Sequence, residues 1–288
     1  MGEHAAPCTA ARPCAPIRET PNGPIPRFHI AGGSLALQPA PRLARAVAGD
    51  LRPPLTMTTS SRSILPFPDR REAGRLLAAR LGRYEGRDRT VVLGLPRGGI
   101  VPAAEIAAAL RLPLDVVISR KLGAPGNPEL AIGAVAEGGA PYLNEEALAS
   151  TEASEAHLAR EVEHQRHEIA RRQARFRDGR PLSLPERATA ILVDDGVATG
   201  STAIAAIRAL REQGVGRLVF AIPVAPPDRA DVLRGMVDEL VVLATPAAFW
   251  AVGEFYEDFR QVSDDEVVAL LARARAERPG APAQPGQV

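Results

Sequence analysis

Cysteine is nearly absent from this chain of 288 residues: its only two, Cys8 and Cys14, both lie near the N-terminus. Two cysteines cannot form a framework of disulfides, and no second pair is present to complete a zinc site. Long apolar runs and an N-terminal signal-peptide pattern are missing as well. These absences predict a cytoplasmic protein without a membrane partner.

An excess of charge of one sign is also absent. The chain has 35 lysine and arginine residues against 34 acidic residues, which gives a formal net charge of +1 at pH 7. A strongly basic balance would have favoured a nucleic-acid partner, so the even balance predicts none. Any anion-binding site must then come from a local arrangement of residues.

The first part of the chain lacks apolar periodicity. Residues 1–62 are rich in proline, alanine and arginine, a composition typical of disordered segments. This composition fits an organellar transit peptide and equally fits sequence that precedes a true start at Met57. We predict a disordered extension over 1–62, one domain over 63–276 and a disordered tail over 277–288.

Apolar residues recur with regular spacing from Pro68 onward. Nearly continuous apolar strands that alternate with amphipathic helices indicate a doubly wound α/β fold with a mostly parallel sheet. In such sheets, ligands bind in the loops that follow the carboxyl ends of the strands. The pattern predicts helices at 69–81, 100–112, 203–214 and 264–277, strands at 90–95, 114–120, 189–194, 217–225 and 238–245, and a further strand or hairpin at 131–144.

The pattern over 145–177 predicts a long, charged helical stretch, which is an insertion or a packing helix. On this helix Glu168 and Arg172 have the spacing of a surface ion pair. We interpret its three histidines as part of a solvated face, because no carboxylate or cysteine pattern of a metal site accompanies them. They are His157, His164 and His167.

The segment ILVDDGVATGST, from Ile191 to Thr202, ends a predicted strand and begins a predicted helix. A helix that starts near Ser201 has unpaired backbone N–H groups and a positive dipole end in its first turn, which suit a phosphate. Gly196 and Gly200 allow the backbone to fold closely around such a ligand. Neighbouring hydroxyl side chains add further donors, so the segment predicts a phosphate site.

Two adjacent carboxylates precede this phosphate site. Asp194 and Asp195 would repel a bare phosphate, but they can accept hydrogen bonds from the vicinal hydroxyls of a sugar phosphate or bias a nearby Mg²⁺ ion. The lysine of a P-loop is missing. No G-x-G-x-x-G fingerprint follows a strand, which disfavours a dinucleotide-dependent oxidoreductase. A sugar phosphate is the ligand that these residues favour.

The same segment resembles the signature with which type I phosphoribosyltransferases bind 5-phosphoribosyl 1-diphosphate (PRPP). The resemblance implies that Asp194 and Asp195 hold the ribose 2- and 3-hydroxyls. It also implies that the residues after them hold the 5-phosphate: Val197, Ala198, Thr199, Gly200, Ser201 and Thr202.

Two further segments are similar to the same family. GLPRGGIVPAAEIA resembles its pyrophosphate loop, in which Arg97, Gly98 and Gly99 would bind the diphosphate. SRKLGAPGNPELAIGAVAEGG resembles the segment that leads into a mobile loop closing over PRPP. By that resemblance Arg120 and Lys121 would meet the leaving pyrophosphate.

Residues 66–271 also resemble a bacterial group of predicted phosphoribosyltransferases that share PRGG, RKLGAPGNPELAIGA and an F-x-AVG-x-[FWY]-Y segment. This chain has FWAVGEFYEDF at that place. The family places its acceptor under a small hood, which we expect near the chain's end. Phe249, Trp250 and Tyr256 are the candidates for stacking on the acceptor there.

The resemblance implies Mg²⁺-dependent transfer of a 5-phosphoribosyl group from PRPP to a nitrogenous acceptor, a nucleobase or related amine, with release of pyrophosphate. The ion would be held mainly through PRPP, and we expect a homodimer. Ala198 stands where enzymes for 6-oxopurines commonly have an acidic residue. This departure weakens a hypoxanthine or guanine assignment and leaves adenine- and uracil-type bases open.

A non-catalytic sensor of PRPP or nucleotides on the same fold is the alternative function. Both acids, the PRGG loop and the basic pair are present, which favours the transferase. A helix-turn-helix or a strongly basic face would have favoured the sensor, and the sequence indicates neither.

Overall fold

The computed structural model describes residues 64–277. The predicted extension, with Met57, and the predicted tail beyond residue 277 lie outside the described residues. The domain boundaries therefore stay a prediction.

Eight strands and seven α-helices are present in residues 64–277. The strands are β1 (Thr90–Gly94), β2 (Leu114–Val116), β3 (Ser119–Ala124), β4 (Asn127–Ala136), β5 (Tyr142–Leu143), β6 (Thr189–Val193), β7 (Arg217–Val224) and β8 (Glu239–Ala244). The helices are α1 (Arg70–Arg80), α2 (Ile100–Leu110), α3 (Glu145–Ala149), α4 (Glu155–Arg177), α5 (Ser201–Glu212), α6 (Pro227–Arg234) and α7 (Asp264–Ala276).

The central sheet has five parallel strands in the order β2-β1-β6-β7-β8. Successive side chains of a strand point to opposite faces, and β1 shows this with Val92 on one side and Val91 and Leu93 on the other. Helices α1, α2 and α7 contribute to the apolar cluster around Val92, whereas α5 and α6 contribute to the cluster around Leu93. The predicted doubly wound α/β fold is confirmed.

The prediction of one strand over 114–120 is wrong. The chain leaves the parallel sheet after Val116, and β3 begins a separate antiparallel sheet of order β3-β4-β5. Val117 and Ile118 join the two strands and are fully buried. Their burial extends the apolar run from one sheet into the next, so the pattern contained no signal of the change.

The antiparallel sheet packs on α5. Ala134 and Ala136 of β4 form a small buried cluster with Ala205 and Ala209 of that helix. The pairing of β4 with β5 confirms the expected hairpin within 131–144.

The predicted helix over 145–177 is two helices. Asn144 caps α3 by accepting a hydrogen bond from the Ala147 N–H group, and Ser154 caps α4 by accepting one from His157. Two side-chain caps ten residues apart in sequence start two separate helices, a signal that the charged composition concealed.

A small aromatic cluster lies near the chain's end, where the hood was expected. Phe67, from the segment before α1, exchanges backbone hydrogen bonds with the segment after β8, through Phe255 and Glu257. Tyr256 and Phe259 complete the cluster. None of the helices between residues 64 and 277 combines the length and the apolar character needed to cross a membrane.

Candidate functional site

The loop between β6 and α5 follows the carboxyl end of the central strand. Gly200 precedes the helix with φ of 82°, a left-handed conformation that favours glycine, and no side chain caps α5. The first-turn N–H groups of α5 are thus left for a ligand. Ala198 and Thr199 are exposed, and Thr202 is half-buried. Ser201 is buried at the first position of the helix.

Val197 differs from the other residues of the predicted phosphate loop. Its side chain is buried in the core, and its N–H group donates to the carbonyl of Val224 at 2.9 Å. Val197 therefore anchors the loop to β7, and the donors that face solvent come from the residues after it.

The two acids after β6 have different surroundings. Burial and the adjacent charge of Asp195 raise the pKa of the Asp194 carboxyl well above its ordinary value. Asp195 instead accepts a hydrogen bond from Arg70 Nε at 2.6 Å. One acid thus lies beside a like charge and favours its protonated form, while the other has a counter-ion.

Arg70 is a site residue that the sequence analysis missed. It is 8% exposed, donates from Nη1 to the carbonyl of Arg260 at 2.8 Å, and lies over the ring of Phe259 at 3.7 Å from its centre. The tyrosine hydroxyl of Tyr256 donates to the carbonyl of Asp195 at 2.6 Å, and burial raises its pKa. Arg70 lies at the start of α1, far from Asp195 in sequence, so no local pattern identified it.

The loop after β1 packs directly against the acid pair. A Cβ atom at Gly98 would lie 1.9 Å from Asp195 Oδ2, and one at Gly99 would lie 2.7 Å from the carbonyls of both Leu95 and Val193. Backbone atoms therefore exclude a side chain at position 99, whereas a side chain at position 98 would displace the Asp195 carboxylate. The peptide bond between Pro96 and Arg97 is cis.

An open cleft of about 370 Å³ lies between the two loops. Arg70, Arg97, Gly98 and Asp195 line it, together with Phe259. The structure thus brings the acid pair and the PRGG loop to one place, as expected for loops at the carboxyl edge of a parallel sheet.

Arg120 and Lys121 are adjacent in β3 but have separate partners. Arg120 Nε donates to Gln165 of α4 at 3.0 Å, whereas Lys121 Nζ contacts the exposed carboxylate of Glu129 at 2.6 Å. The segment expected as a loop forms the β3–β4 hairpin, with Gly126 at φ of 72° in its turn. Arg120 therefore contacts α4, whereas Lys121 contacts β4.

The three aromatic acceptor candidates are also in different surroundings. Tyr256 is buried and packs on Phe67, with ring centres 5.4 Å apart. Phe249 is half-buried against Phe255 at 4.8 Å. Trp250 is 87% exposed. Of the three, Trp250 has the ring most available to a ligand.

The histidines of α4 do not converge with these groups. His157 contacts the carbonyl of Gly123 at 2.9 Å, and His167 lies 3.2 Å from Glu163 on the same helix. His164 is exposed.

Comparison with known proteins gives a consistent result. The model of the phosphoribosyl transferase domain matches residues 60–260. Two curated proteins from Mycobacterium tuberculosis strains CDC 1551 / Oshkosh and ATCC 25618 / H37Rv, each provisionally named a phosphoribosyl transferase, are 48% identical over 208 residues. These matches cover 72% of this chain and 47% of each relative, so the chain spans about half the length of the curated relatives it matches.

A solved structure is also similar. The crystal structure of TT1426 from Thermus thermophilus is 45% identical in sequence and superposes with a TM-score of 0.61. The match covers 73% of this chain and 99% of that one. The described fold is therefore shared with an experimentally determined structure over nearly the whole length of that structure.

Proposed function

Because the chain belongs to the phosphoribosyl transferase domain family, we propose that it transfers the 5-phosphoribosyl group of PRPP to a nitrogenous acceptor and releases pyrophosphate. The contact between the PRGG loop and the acid pair carries this proposal, since a Cβ at Gly98 would lie 1.9 Å from Asp195 Oδ2. That contact brings the acid pair and a second anion loop together, and the N-terminus of α5 follows the same acids along the β6–α5 loop. A ligand with a phosphate, a ribose and a diphosphate matches all three.

The helix terminus of α5 binds the 5-phosphate in this proposal. Its free N–H groups and the hydroxyls of Thr199 and Thr202 donate to the phosphate oxygens. Asp194 and Asp195 accept hydrogen bonds from the ribose hydroxyls. Arg70 holds the Asp195 carboxylate in place through its 2.6 Å contact.

The diphosphate lies toward the PRGG loop. Arg97 supplies positive charge there, and Gly98 allows the backbone to approach without a side chain in the way. Arg120 adds a second guanidinium, fixed by Gln165. Guanidinium groups bind phosphates through paired donors, so both arginines stabilise the leaving pyrophosphate.

The reaction passes through a ribose with cationic character at the reacting carbon, as in glycoside chemistry. Stabilising the departing pyrophosphate and the cationic sugar therefore contributes more than a strong nucleophile. The carboxylates of Asp194 and Asp195 contribute negative charge beside the sugar. Burial and then the charge of Asp195 raise the pKa of Asp194, and a cationic ligand would lower it again.

The residues fit a Mg²⁺ ion that arrives with PRPP. Among residues 64–277 no group of three histidine, cysteine or acidic side chains is arranged to hold a metal. The adjacent oxygens of Asp194 and Asp195 suit a hard cation whose other ligands are phosphate oxygens and water. Such an ion would neutralise part of the diphosphate charge.

Trp250 is the aromatic residue that we propose for the acceptor. Its exposed ring offers a stacking surface. The Tyr256 hydroxyl and ring already contact Asp195 and Phe67, so this residue supports the loop, and Phe249 packs beside Phe255. Ala198, just before the TG of the loop, weakens a 6-oxopurine assignment and leaves adenine- and uracil-type acceptors open.

Pyrophosphate release from PRPP and Mg²⁺, measured across a panel of purine and pyrimidine bases and simple amines, tests this function. Release with one acceptor establishes the transferase and identifies its substrate. PRPP binding without release with any acceptor would contradict the transfer and support the sensor.

A homodimer, a cytoplasmic location and the absence of a nucleic-acid partner stay predictions from the sequence. Light scattering on the purified chain measures the mass in solution. A monomeric mass across the micromolar range would contradict the dimer.

A further inference from the structure

Helix α4 carries a polar stripe toward β3, formed by Glu161, Gln165, Glu168 and Arg172. Their spacing is that of one helix face. Gln165 is 7% exposed and accepts a hydrogen bond from Arg120 Nε. Its own amide donates to Glu161 Oε1 at 2.9 Å, so the side chain is held at both ends. The helix therefore does more than cover an apolar surface.

The last residue of the polar stripe lacks the partner that the sequence predicted. Glu168 forms its ion pair with Arg171, at 3.1 Å, and not with Arg172. The Nε atom of Arg172 is buried and has no hydrogen-bond partner among the described residues. A buried guanidinium donor without an acceptor is costly, which marks it as a group that a ligand can satisfy.

The charges around Arg172 are mostly positive. Burial and then the charge of Arg120 lower its pKa, Arg97 and Arg171 add to this effect, and Asp264 opposes it. These arginines come from β3, the PRGG loop and α4, and they converge only in the folded chain. Four guanidinium groups near one another attract an anion.

The acidic groups within the cluster compensate these charges incompletely. Asp264 lies 3.9 Å from both Arg97 and Arg171, beyond hydrogen-bond distance, and its buried Oδ1 has no hydrogen-bond partner among the described residues. Glu168 is already paired with Arg171. Donors of Arg97 and Arg172 therefore stay available for an added anion.

We propose that Arg172 binds the diphosphate of PRPP together with Arg97 and Arg120, and that Gln165 positions Arg120 for the same ligand. The proposal rests on the proposed function, because Arg97 lines the cleft that also contains Asp195. A diphosphate spans more than one guanidinium and matches their paired donors. Helix α4 is thus part of the binding site.

Calorimetric titration of the full chain with inorganic pyrophosphate and Mg²⁺ tests the assignment. Arg172→Met should weaken pyrophosphate binding by about tenfold to a hundredfold, the loss expected for charge-assisted hydrogen bonds. Arg172→Lys should recover part of the affinity. Arg166→Met, an exposed arginine on the same helix, is the matched control and should bind like the unmodified chain.

Ribose 5-phosphate is the second probe, because it lacks the diphosphate. Its affinity should be the same in Arg172→Met as in the unmodified chain, and equal melting temperatures would exclude unfolding. Gln165→Leu should raise the KM for PRPP with ribose 5-phosphate affinity unchanged, because Arg120 loses the acceptor that holds its guanidinium.

The outcomes separate the two proposals. Equal pyrophosphate affinity in Arg172→Met and the unmodified chain, or loss of ribose 5-phosphate affinity along with it, overturns the role of Arg172. Weaker pyrophosphate binding with unchanged ribose 5-phosphate affinity supports the role of Arg172, whether or not any acceptor is converted. A chain that binds ribose 5-phosphate and pyrophosphate but releases no pyrophosphate from PRPP contradicts the proposed transfer alone.

Discussion

The two sides of the proposed binding site are built in different ways. The loops after β1 and β6 present backbone N–H groups, glycines and two acids that are close together in sequence. The other side, which we propose from β3 and α4, has guanidinium groups at Arg120 and Arg172 that come from distant parts of the sequence. The first side is determined by local sequence and the second by tertiary structure. Substitutions on the two sides should therefore act differently.

Asp195→Asn tests the first side and should have the largest effect. Asparagine can still accept from Arg70, so the fold should persist, but the charged acceptor for the ribose hydroxyl is lost. We expect turnover with PRPP to fall about a hundredfold, the scale of one charge-assisted hydrogen bond. Steady-state kinetics with Asp228→Asn, an exposed aspartate of α6, provides the control. Unchanged PRPP affinity and rate would refute the role of Asp195.

Gly99→Ala tests how closely the two loops pack. Its Cβ would lie 2.7 Å from two backbone carbonyls and 2.8 Å from the Cα of Asp194. Backbone cannot move aside as a side chain can, so we expect a loss of about 1–3 kcal/mol in the free energy of unfolding. Urea denaturation measures it. Gly82→Ala, where nothing lies within 4 Å of the added Cβ, should change stability by less than about 0.5 kcal/mol.

Asp194→Asn tests whether the Asp194 carboxyl has a raised pKa in the folded chain, through the pH dependence of stability. Folding raises the pKa of Asp194, so at pH values between the unfolded-state and folded-state pKa the folded chain retains a proton that the unfolded chain releases. Stability therefore falls as the pH rises between these two pKa values. Asparagine removes this loss. The variant should be more stable than the unmodified chain at pH 8, and the difference should disappear near pH 4. Denaturation midpoints that diverge toward low pH would contradict this assignment.

Trp250→Ala should have the smallest effect on the fold. The side chain is 87% exposed, so the free energy of unfolding should change by less than about 0.5 kcal/mol. PRPP affinity should not change, whereas the KM for the acceptor should rise several-fold if the ring stacks on it. Phe255→Ala, within the aromatic cluster, should by contrast destabilise the fold. An unaltered acceptor KM would remove Trp250 from the acceptor site.

The sequence predicted the loops well because their geometry is local. A strand end, two acids, Gly200 and the start of α5 occur within a few residues of one another, and the structure has them in that arrangement. The central parallel strands were predicted for the same reason, since each is a short apolar run. Val197 is an exception within the loop: its N–H group was expected to face the phosphate, but it donates to the carbonyl of Val224 on a neighbouring strand.

The remaining features depend on contacts distant in sequence. Arg70 reaches Asp195 across 125 residues, and the charges of Arg97 and Arg120 lower the pKa of Arg172 on a helix whose pattern indicated only surface charge. The sequence did not predict the break between β2 and β3, because the residues that join the two strands are themselves buried and apolar. Spacing along one helix or strand contains no information on such partners.

Binding of PRPP is the central claim, and calorimetric titration of the full chain with PRPP and Mg²⁺ tests it most directly. We predict saturable binding of one PRPP per chain, weakened in Asp195→Asn and unaffected in Asp228→Asn. Absence of binding heat at several temperatures, or equal affinity in all three proteins, would contradict the assignment of this cleft.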